Sequence, residues 1–318
     1  SPRNPKAYDY LVQFIDHCLH GMNNVTGRIG TPLDYIGFHA KGSPEYIDGH
    51  IRMNLGVQLK DIARGFEAIQ SFPEIKNIPV IIGECDPEGC AACSEKRDPR
   101  YGYRNGTMYS SYTAASFARI YELKDQYQIN LQGAVSWSFE FENQEWYAGF
   151  RDLATHGVDK PVLNVFRMLG MMKGQRLELH TEHALTAKQI INTGVRQDAD
   201  INAIASKSEK SIDVLVWNYH DEDLTANPSS IHLVIDGLSG KSIQYTRYLI
   251  DHAHSNSYEK WKSMGKPQKI NSQQYNILEK SGKLERADRT KTIKLKKGTL
   301  NISIDLPRQG VSLIKISL

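Results

Sequence analysis

I-P-V-I-I-G-E-C-D-P-E-G-C-A-A-C (residues 78–93) is a short apolar run that ends abruptly on a carboxylate. Its first six residues read as a buried strand, closed by Gly83. A polar loop comes next, carrying Glu84, Asp86, Glu88 and three cysteines. Two more apolar runs of the same kind flank it, L-D-Y-I-G-F-H (33–39) and L-Q-G-A-V-S-W-S-F (131–139). Between them lie segments with helical spacing. Leu11, Phe14, Ile15, Cys18 and Leu19 recur on one face after an Asn4-Pro5 start, and Gly21 can end that helix. Leu59, Ile62, Ala63, Phe66 and Ile69 mark a second helix, and Tyr112, Ala115, Ser116, Ile120 and Leu123 a third within 107–127. Pro161 opens a last one through Val165, Phe166 and Leu169. Apolar strands alternating with helices predict a parallel sheet covered by helices.

The period changes after Gly174. Six shorter, more alternating segments lie beyond it, at 212–219, 231–236, 243–250, 292–297, 300–306 and 311–318, separated by turn pairs such as Asp236-Gly237 and Lys297-Gly298. They predict an antiparallel β-sandwich with a polar, partly helical insertion at 252–290. The expected division is therefore an α/β unit over 1–173 and an all-β unit over 174–318. Three parallel strands cannot close a barrel, so the first unit reads as an incomplete sheet.

Composition narrows the function. Apolar residues make up 40% of the 318 and charged residues 24%, as in a soluble globular protein. The net charge of +3 makes no case for nucleic acid. The basic excess in 241–300, where 14 Lys or Arg face 5 Asp or Glu, reads as a solvated face. No apolar run approaches the ~20 residues of a membrane span. Cys85, Cys90 and Cys93 lack a fourth ligand at zinc spacing, so no metal is expected, and free thiols or one local disulfide stay open. No cofactor is expected. The chain does not begin with Met and reads as processed or as a segment of something longer. Its compartment stays open, the periplasm and secretion included.

In parallel α/β folds ligands sit at the carboxyl ends of strands. Here those ends carry His39 and Lys41, then Glu84 and Asp86, then Trp137, Glu140, Glu142 and Trp146. Acids, a histidine, a lysine and aromatic rings on one rim suit a sugar. Taken singly, Glu84 would equally cap a helix or pair with an arginine, His39 would sit satisfied and half-buried, Lys41 would be solvated, and Trp137 would belong to the core.

L-D-Y-I-G-F-H-A-K-G (33–42), P-V-I-I-G-E-C-D-P (79–87) and G-V-D-K-P-V-L-N-V-F-R-M-L (157–169) resemble glycoside hydrolase family 39, the β-xylosidases and α-L-iduronidases. The segment Y-T-R-Y-L-I-D-H-A-H-S-N-S-Y-E-K-W-K-S-M-G-K-P-Q (245–268) does too. The resemblance implies a (β/α)8 barrel followed by a β-sandwich, and glycoside hydrolysis with retention through a covalent glycosyl-enzyme. It implies that Glu84 is the nucleophile, at the end of the seventh barrel strand. His39 on the sixth strand would contact the sugar, and Trp137 and Glu142, on and after the eighth, would shape the subsite. Lys41 and Arg151 occupy places similar to the carboxylate-binding residues of the iduronidase branch. The family's acid/base glutamate lies in an Asn-Glu-Pro motif, and the dipeptide Asn-Glu occurs nowhere in this chain. The resemblance therefore implies the C-terminal part of a longer exo-glycosidase, its last barrel strands and its sandwich, without the acid/base residue. A β-xylosidase type is expected. The alternatives are an iduronidase-like, uronate-releasing enzyme and a non-catalytic carbohydrate-binding remnant.

Overall fold

The computed structural model describes residues 1–182 and 184–318. The first half alternates as the periodicity predicts: α1 (Pro5–His20), β1 (Ile36–Lys41), α2 (Leu55–Gln70), β2 (Val80–Asp86), α3 (Thr107–Tyr127), β3 (Leu131–Ala134) and α4 (Pro161–Met171). At the start of α1 the Asn4 side chain accepts from the Lys6 amide, with Pro5 at the first helical position. Its end uses Gly21 without a left-handed turn, the Gly21 amide simply returning to the His17 carbonyl.

Strands β1, β2 and β3 form a parallel sheet in that order. One face buries Ile36, Phe38, Ala40, Val80 and Ile82 against Leu59, Ile62 and Phe66 of α2 and Tyr112 and Ala115 of α3. Each of the Val, Ile, Leu and Phe side chains among them stabilises the fold by roughly 1.5–3 kcal/mol. The other face carries the exposed Gly37, His39 and Gly83.

The third strand is shorter than expected from 131–139 and stops at Ala134. The reason is Asp86. Val135 still pairs with the β2 backbone, but the next two donors, the Ser136 hydroxyl and the Trp137 amide, go to Asp86 Oδ1 at 2.8 and 3.0 Å. A side-chain carboxylate takes over where a ladder carbonyl would have continued the strand.

The second half holds β4 (Gln175–Leu177), α5 (Ala187–Thr193), β5 (Asp200–Lys207), β6 (Ser211–Tyr219), β7 (Ser229–Ile235), β8 (Ser242–Ile250), α6 (Ser257–Ser263), α7 (Ser272–Gly282), β9 (Glu285–Arg286), β10 (Lys291–Lys294), β11 (Leu300–Leu306) and β12 (Val311–Ser317). Antiparallel pairing orders one sheet β4-β5-β6-β12-β8-β9, with β10 also on β8, and a second sheet pairs β7 with β11. Val214, Val216, Ile314 and Ile316 of the large sheet share a core with Ile302, Ile304 and Leu306 of the small one. The alternate residues Leu215, Trp217, Tyr219 and Leu313 turn the opposite way and join the core of the first half. The insertion expected at 252–290 holds α6 and α7. Strand β5 and helix α5 were not anticipated. D-I-N-A-I-A-S-K has small, weakly alternating side chains, and α5 is a seven-residue helix fixed by a capping box between Thr186 and Gln189.

Among the described residues no helix is long and apolar enough to cross a membrane.

Candidate active site

Parallel pairing sets the site. His39 stands opposite Glu84 and Lys41 opposite Asp86, after a register shift between Phe38 and His39. The shift brings the two strand ends level, so that the side chains of His39, Lys41, Glu84 and Asp86 lie together. His39 Nδ1 lies 3.5 Å from Glu84 Oε2, and Lys41 Nζ lies 2.6 Å from the same oxygen. Lys41 Nζ also donates to Asp86 Oδ2 at 2.5 Å. The His39 side chain is 55% exposed, those of Glu84 and Lys41 14%, and that of Asp86 is fully buried. The Lys41 ammonium thus bridges one carboxylate at the surface and one beneath it.

Behind this pair lies a buried ionic layer. Arg151, fully buried, has Nη1 3.4 Å from Asp86 Oδ2 and 3.3 Å from Glu88 Oε1, and its Nε donates to the Trp137 carbonyl at 3.0 Å. Glu88 also accepts from the Tyr103 hydroxyl at 2.9 Å, the Cys90 amide at 2.8 Å and Arg104 Nη2 at 2.7 Å. Arg104 continues to the carbonyls of Cys90, Cys93 and Gly149, fixing the loop beyond β2. Buried charges persist only when paired and hydrogen-bonded in this way.

Two side chains of α2 hold the strand ends from below. The Gln58 amide nitrogen donates to the Asp86 carbonyl at 3.0 Å, and its oxygen accepts from the hydroxyls of Tyr112 and Ser116 at 2.8 Å each. Asp61 accepts the Lys41 amide at 2.8 Å. The turn after Lys41 needs glycine for space, because a Cβ on Gly42 would lie 2.3 Å from the Pro87 carbonyl oxygen.

The cysteines divide. Cys90 and Cys93 form a disulfide, with Cα atoms 5.6 Å apart, and Cys18 and Cys85 are buried free thiols. Burial, then the neighbouring Asp86, pushes the Cys85 thiol far above its ordinary range, so it packs as a small apolar group rather than a nucleophile. Among the described residues no group of three or more His, Cys, Asp or Glu could hold a metal ion.

Of the residues singled out from sequence, His39, Lys41 and Glu84 meet directly. Arg151 joins through Asp86, on the buried side of the site. Trp137 is held by its backbone amide and carbonyl, with its side chain exposed. Glu142 is exposed farther along the loop after β3, on the wall of a cleft of about 740 Å³. Sequence reasoning missed Gln58, Asp61, Glu88 and Arg104. Apart from the Cys90 amide beside Glu88, their partners lie 11 to 63 residues away in sequence, and the one available signal, for Gln58 and Asp61 alone, was a polar residue among the apolar positions of α2.

An accessible carboxylate between an imidazole and an ammonium, at the carboxyl end of a parallel strand, can attack an electrophilic carbon or position a hydroxyl. The family model for glycosyl hydrolases family 39 matches residues 3–294. Mouse α-L-iduronidase is 23% identical over 84% of this chain, and a β-xylosidase of Caldicellulosiruptor saccharolyticus is 24% identical over 44% of it. These alignments span 42% and 26% of the two relatives' own lengths. Among solved structures, a bacterial orthologue of human α-L-iduronidase superposes with a TM-score of 0.74 at 15% identity, covering 98% of this chain and 53% of the other. A monomeric β-xylosidase from Caulobacter crescentus gives 0.69 at 15% identity, covering 96% and 59%. The fold is that of these enzymes, and with the family model matching nearly its whole length, the chain belongs to glycosyl hydrolases family 39.

Proposed function

We propose that this chain carries the nucleophile side of a retaining exo-glycosidase active site, with Glu84 as the attacking carboxylate. The observation that supports it most is the pairing of Glu84 with His39 and Lys41 at adjoining strand ends, above a buried layer that holds all three in place. In this reading residues 1–173 are the last part of a (β/α)8 barrel and 174–318 its β-sandwich, with 252–290 inserted. The exposed face of the parallel sheet, with Gly37, His39 and Gly83, is then barrel interior. Glu84 attacks the anomeric carbon as the leaving oxygen is protonated, and water later releases the sugar with retained configuration.

Retention needs a second carboxyl about 5–5.5 Å from the first. Asp86 and Glu88 are close in sequence, but both are buried in ion pairs with Lys41, Arg151 and Arg104. Neither is free to protonate a leaving group. The acid/base is therefore assigned to a part of the protein outside these 318 residues, and the 318 residues alone are expected to show no turnover.

Charge balance favours a neutral pentoside of the xyloside type. Glu84, Asp86 and Glu88 are matched by Lys41, Arg151 and Arg104, which leaves no cation of this group over for a substrate carboxylate. A uronide is the second reading. It is favoured by Arg151 Nη2, which is buried without a hydrogen-bond partner, and by the long match to mouse α-L-iduronidase.

The test uses the full-length protein with 4-nitrophenyl β-D-xyloside and 4-methylumbelliferyl α-L-iduronide. Cleavage of the first, lost in Glu84→Gln and restored by azide as a glycosyl azide of inverted configuration, supports the proposal. Near-normal turnover by Glu84→Gln removes Glu84 from the role. Cleavage of the iduronide alone selects the second reading.

A further inference from the structure

Cys90 and Cys93 are the ends of a C-A-A-C loop whose backbone is committed to the buried ionic layer at four points. The Cys90 amide donates to Glu88 Oε2 at 2.8 Å. Arg104 donates to the carbonyls of Cys90 and Cys93 at 2.6 and 2.8 Å. The Arg151 amide donates to the Ala91 carbonyl at 3.0 Å. From there the layer runs to the candidate nucleophile. Arg151 Nη1 stands between Glu88 and Asp86, and Lys41 Nζ stands between Asp86 and Glu84. A displacement of the loop at Cys90 therefore reaches the Glu84 carboxylate through successive ion pairs.

The disulfide is poorly placed for a purely structural task. It joins residues only three apart in sequence, and so short a loop constrains the unfolded chain little. Its two cysteines are also placed unequally. Cys90 is half-buried, whereas Cys93 is buried. The exposed Arg97 has Nη1 3.7 Å from Cys93 Sγ. The nearby acids are otherwise engaged, Asp98 with Arg100 Nε at 2.7 Å and Glu88 with Arg104 and Arg151. A cation beside a sulfur stabilises its thiolate, and a stabilised thiolate leaves a disulfide faster. The pair is thus arranged for attack at Cys90, with Cys93 as the leaving group.

We propose that the Cys90–Cys93 disulfide is a reversible clamp that a dithiol opens, and that opening it lowers turnover by freeing the charges that position Glu84. The effect on turnover rests on the assignment of Glu84 as nucleophile, and the opening itself does not. One thiolate of the dithiol attacks Cys90 Sγ. The bond to Cys93 breaks, and Cys93 leaves as a thiolate beside Arg97 and takes a proton from water. The second thiol of the dithiol, its proton given to water, then displaces Cys90 from the mixed disulfide, and Cys90 is protonated in turn. The protein gains two electrons and two protons, and the dithiol loses them to become its own disulfide.

The experiment treats the native full-length protein with dithiothreitol and follows three readouts on the same samples: maleimide labelling mapped by mass spectrometry, hydrolysis of whichever aryl glycoside the protein cleaves, and amide hydrogen exchange. Without denaturant, label should appear on Cys90 and Cys93 and not on the buried Cys18 and Cys85. On reduction kcat should fall about fivefold or more with KM within roughly twofold, the signature of a positioning role. Exchange at the Arg151 amide should quicken, far-UV circular dichroism should stay unchanged, and oxidised dithiothreitol should restore every readout. Cys90→Ser combined with Cys93→Ser should hold the low kcat whatever the reductant. Arg97→Gln should slow reduction by about threefold or more and leave kcat of the oxidised protein unaltered. The proposal is overturned if label enters only on unfolding, if the reduced protein keeps its full kcat, if activity is lost only together with secondary structure, or if Arg97→Gln is reduced at the wild-type rate. Should wild type cleave neither aryl glycoside while reduction still quickens exchange at Arg151, the proposed function fails and the clamp stands.

Discussion

Lys41 separates the two accounts of the substrate. Its ammonium already serves two carboxylates, Glu84 at 2.6 Å and Asp86 at 2.5 Å. Lys41→Met keeps much of the stem's packing but leaves a buried carboxylate with one cation fewer. On the neutral-pentoside reading kcat/KM for the aryl xyloside falls by about tenfold to a hundredfold, the loss of a charged hydrogen bond worth ~1.5–3 kcal/mol. On the uronide reading the aryl iduronide loses more than the aryl xyloside, because the substrate's own partner goes too. Steady-state kinetics on both substrates decides it. Much at this scale was legible in the sequence. A carboxylate ending an apolar strand, and H-x-K ending its neighbour, identify the rim before any coordinates do. Arg151 shows where that legibility stops. The resemblance implied a carboxylate-binding place for it, and no residue around it announces its ion pairs with Asp86 and Glu88, on a loop 63 residues earlier in the case of Glu88.

Among the elements, α2 does the positioning. Periodicity made it an amphipathic helix, and it is one, but two of its buried positions are polar. Gln58 gathers β1, β2 and α3 through five hydrogen bonds, donating to the carbonyls of Ala40 and Asp86 and to the Cys85 sulfur, and accepting from Tyr112 and Ser116. Gln58→Leu fits the space but strands two hydroxyls and a strand-end carbonyl. The expected cost is about 2–3 kcal/mol of stability with a fall in kcat and little change in KM. Denaturant titration and kinetics on the same preparation check both. The start of α2 teaches the same lesson about sequence. Asn54 makes no capping bond there, and the Leu55 amide is instead satisfied by Asp221 Oδ1 at 2.9 Å, 166 residues away. No local signal announces a cap supplied from so far. The early end of β3 is another such case, since only the folded sheet brings Asp86 beside Ser136 and Trp137.

Across the whole molecule, a helix-covered parallel sheet and the antiparallel sheets that follow it share one apolar core and a polar seam. Asp221 is the centre of that seam. It is fully buried and also accepts from the Val195 amide at 2.8 Å and the Tyr219 hydroxyl at 2.7 Å. Asp221→Ala leaves three buried donors unpaired and should destabilise the protein by about 3 kcal/mol or more, seen as a lower Tm without altered secondary structure. Beside it Glu222 pairs with Arg52 across the seam, with Nε at 2.7 Å. Burial pulls the Glu222 carboxyl upward, but the hydrogen bond and charge of Arg52 outweigh it and hold the group below its ordinary value of 4.5. A lowered folded value means stability that is present above the unfolded pKa and lost as pH falls through the folded one. Tm should therefore drop more steeply below about pH 4.5 in wild type than in Glu222→Gln. The central claim concerns the bond that Glu84 is proposed to form. The most direct measurement treats the full-length protein with a 2-deoxy-2-fluoro glycosyl fluoride of the sugar it cleaves, then digests it and sequences the labelled peptide by mass spectrometry. The account predicts one fluoroglycosyl group, carried on Glu84, whereas a label on any other carboxylate, or inactivation without a covalent label, would contradict it.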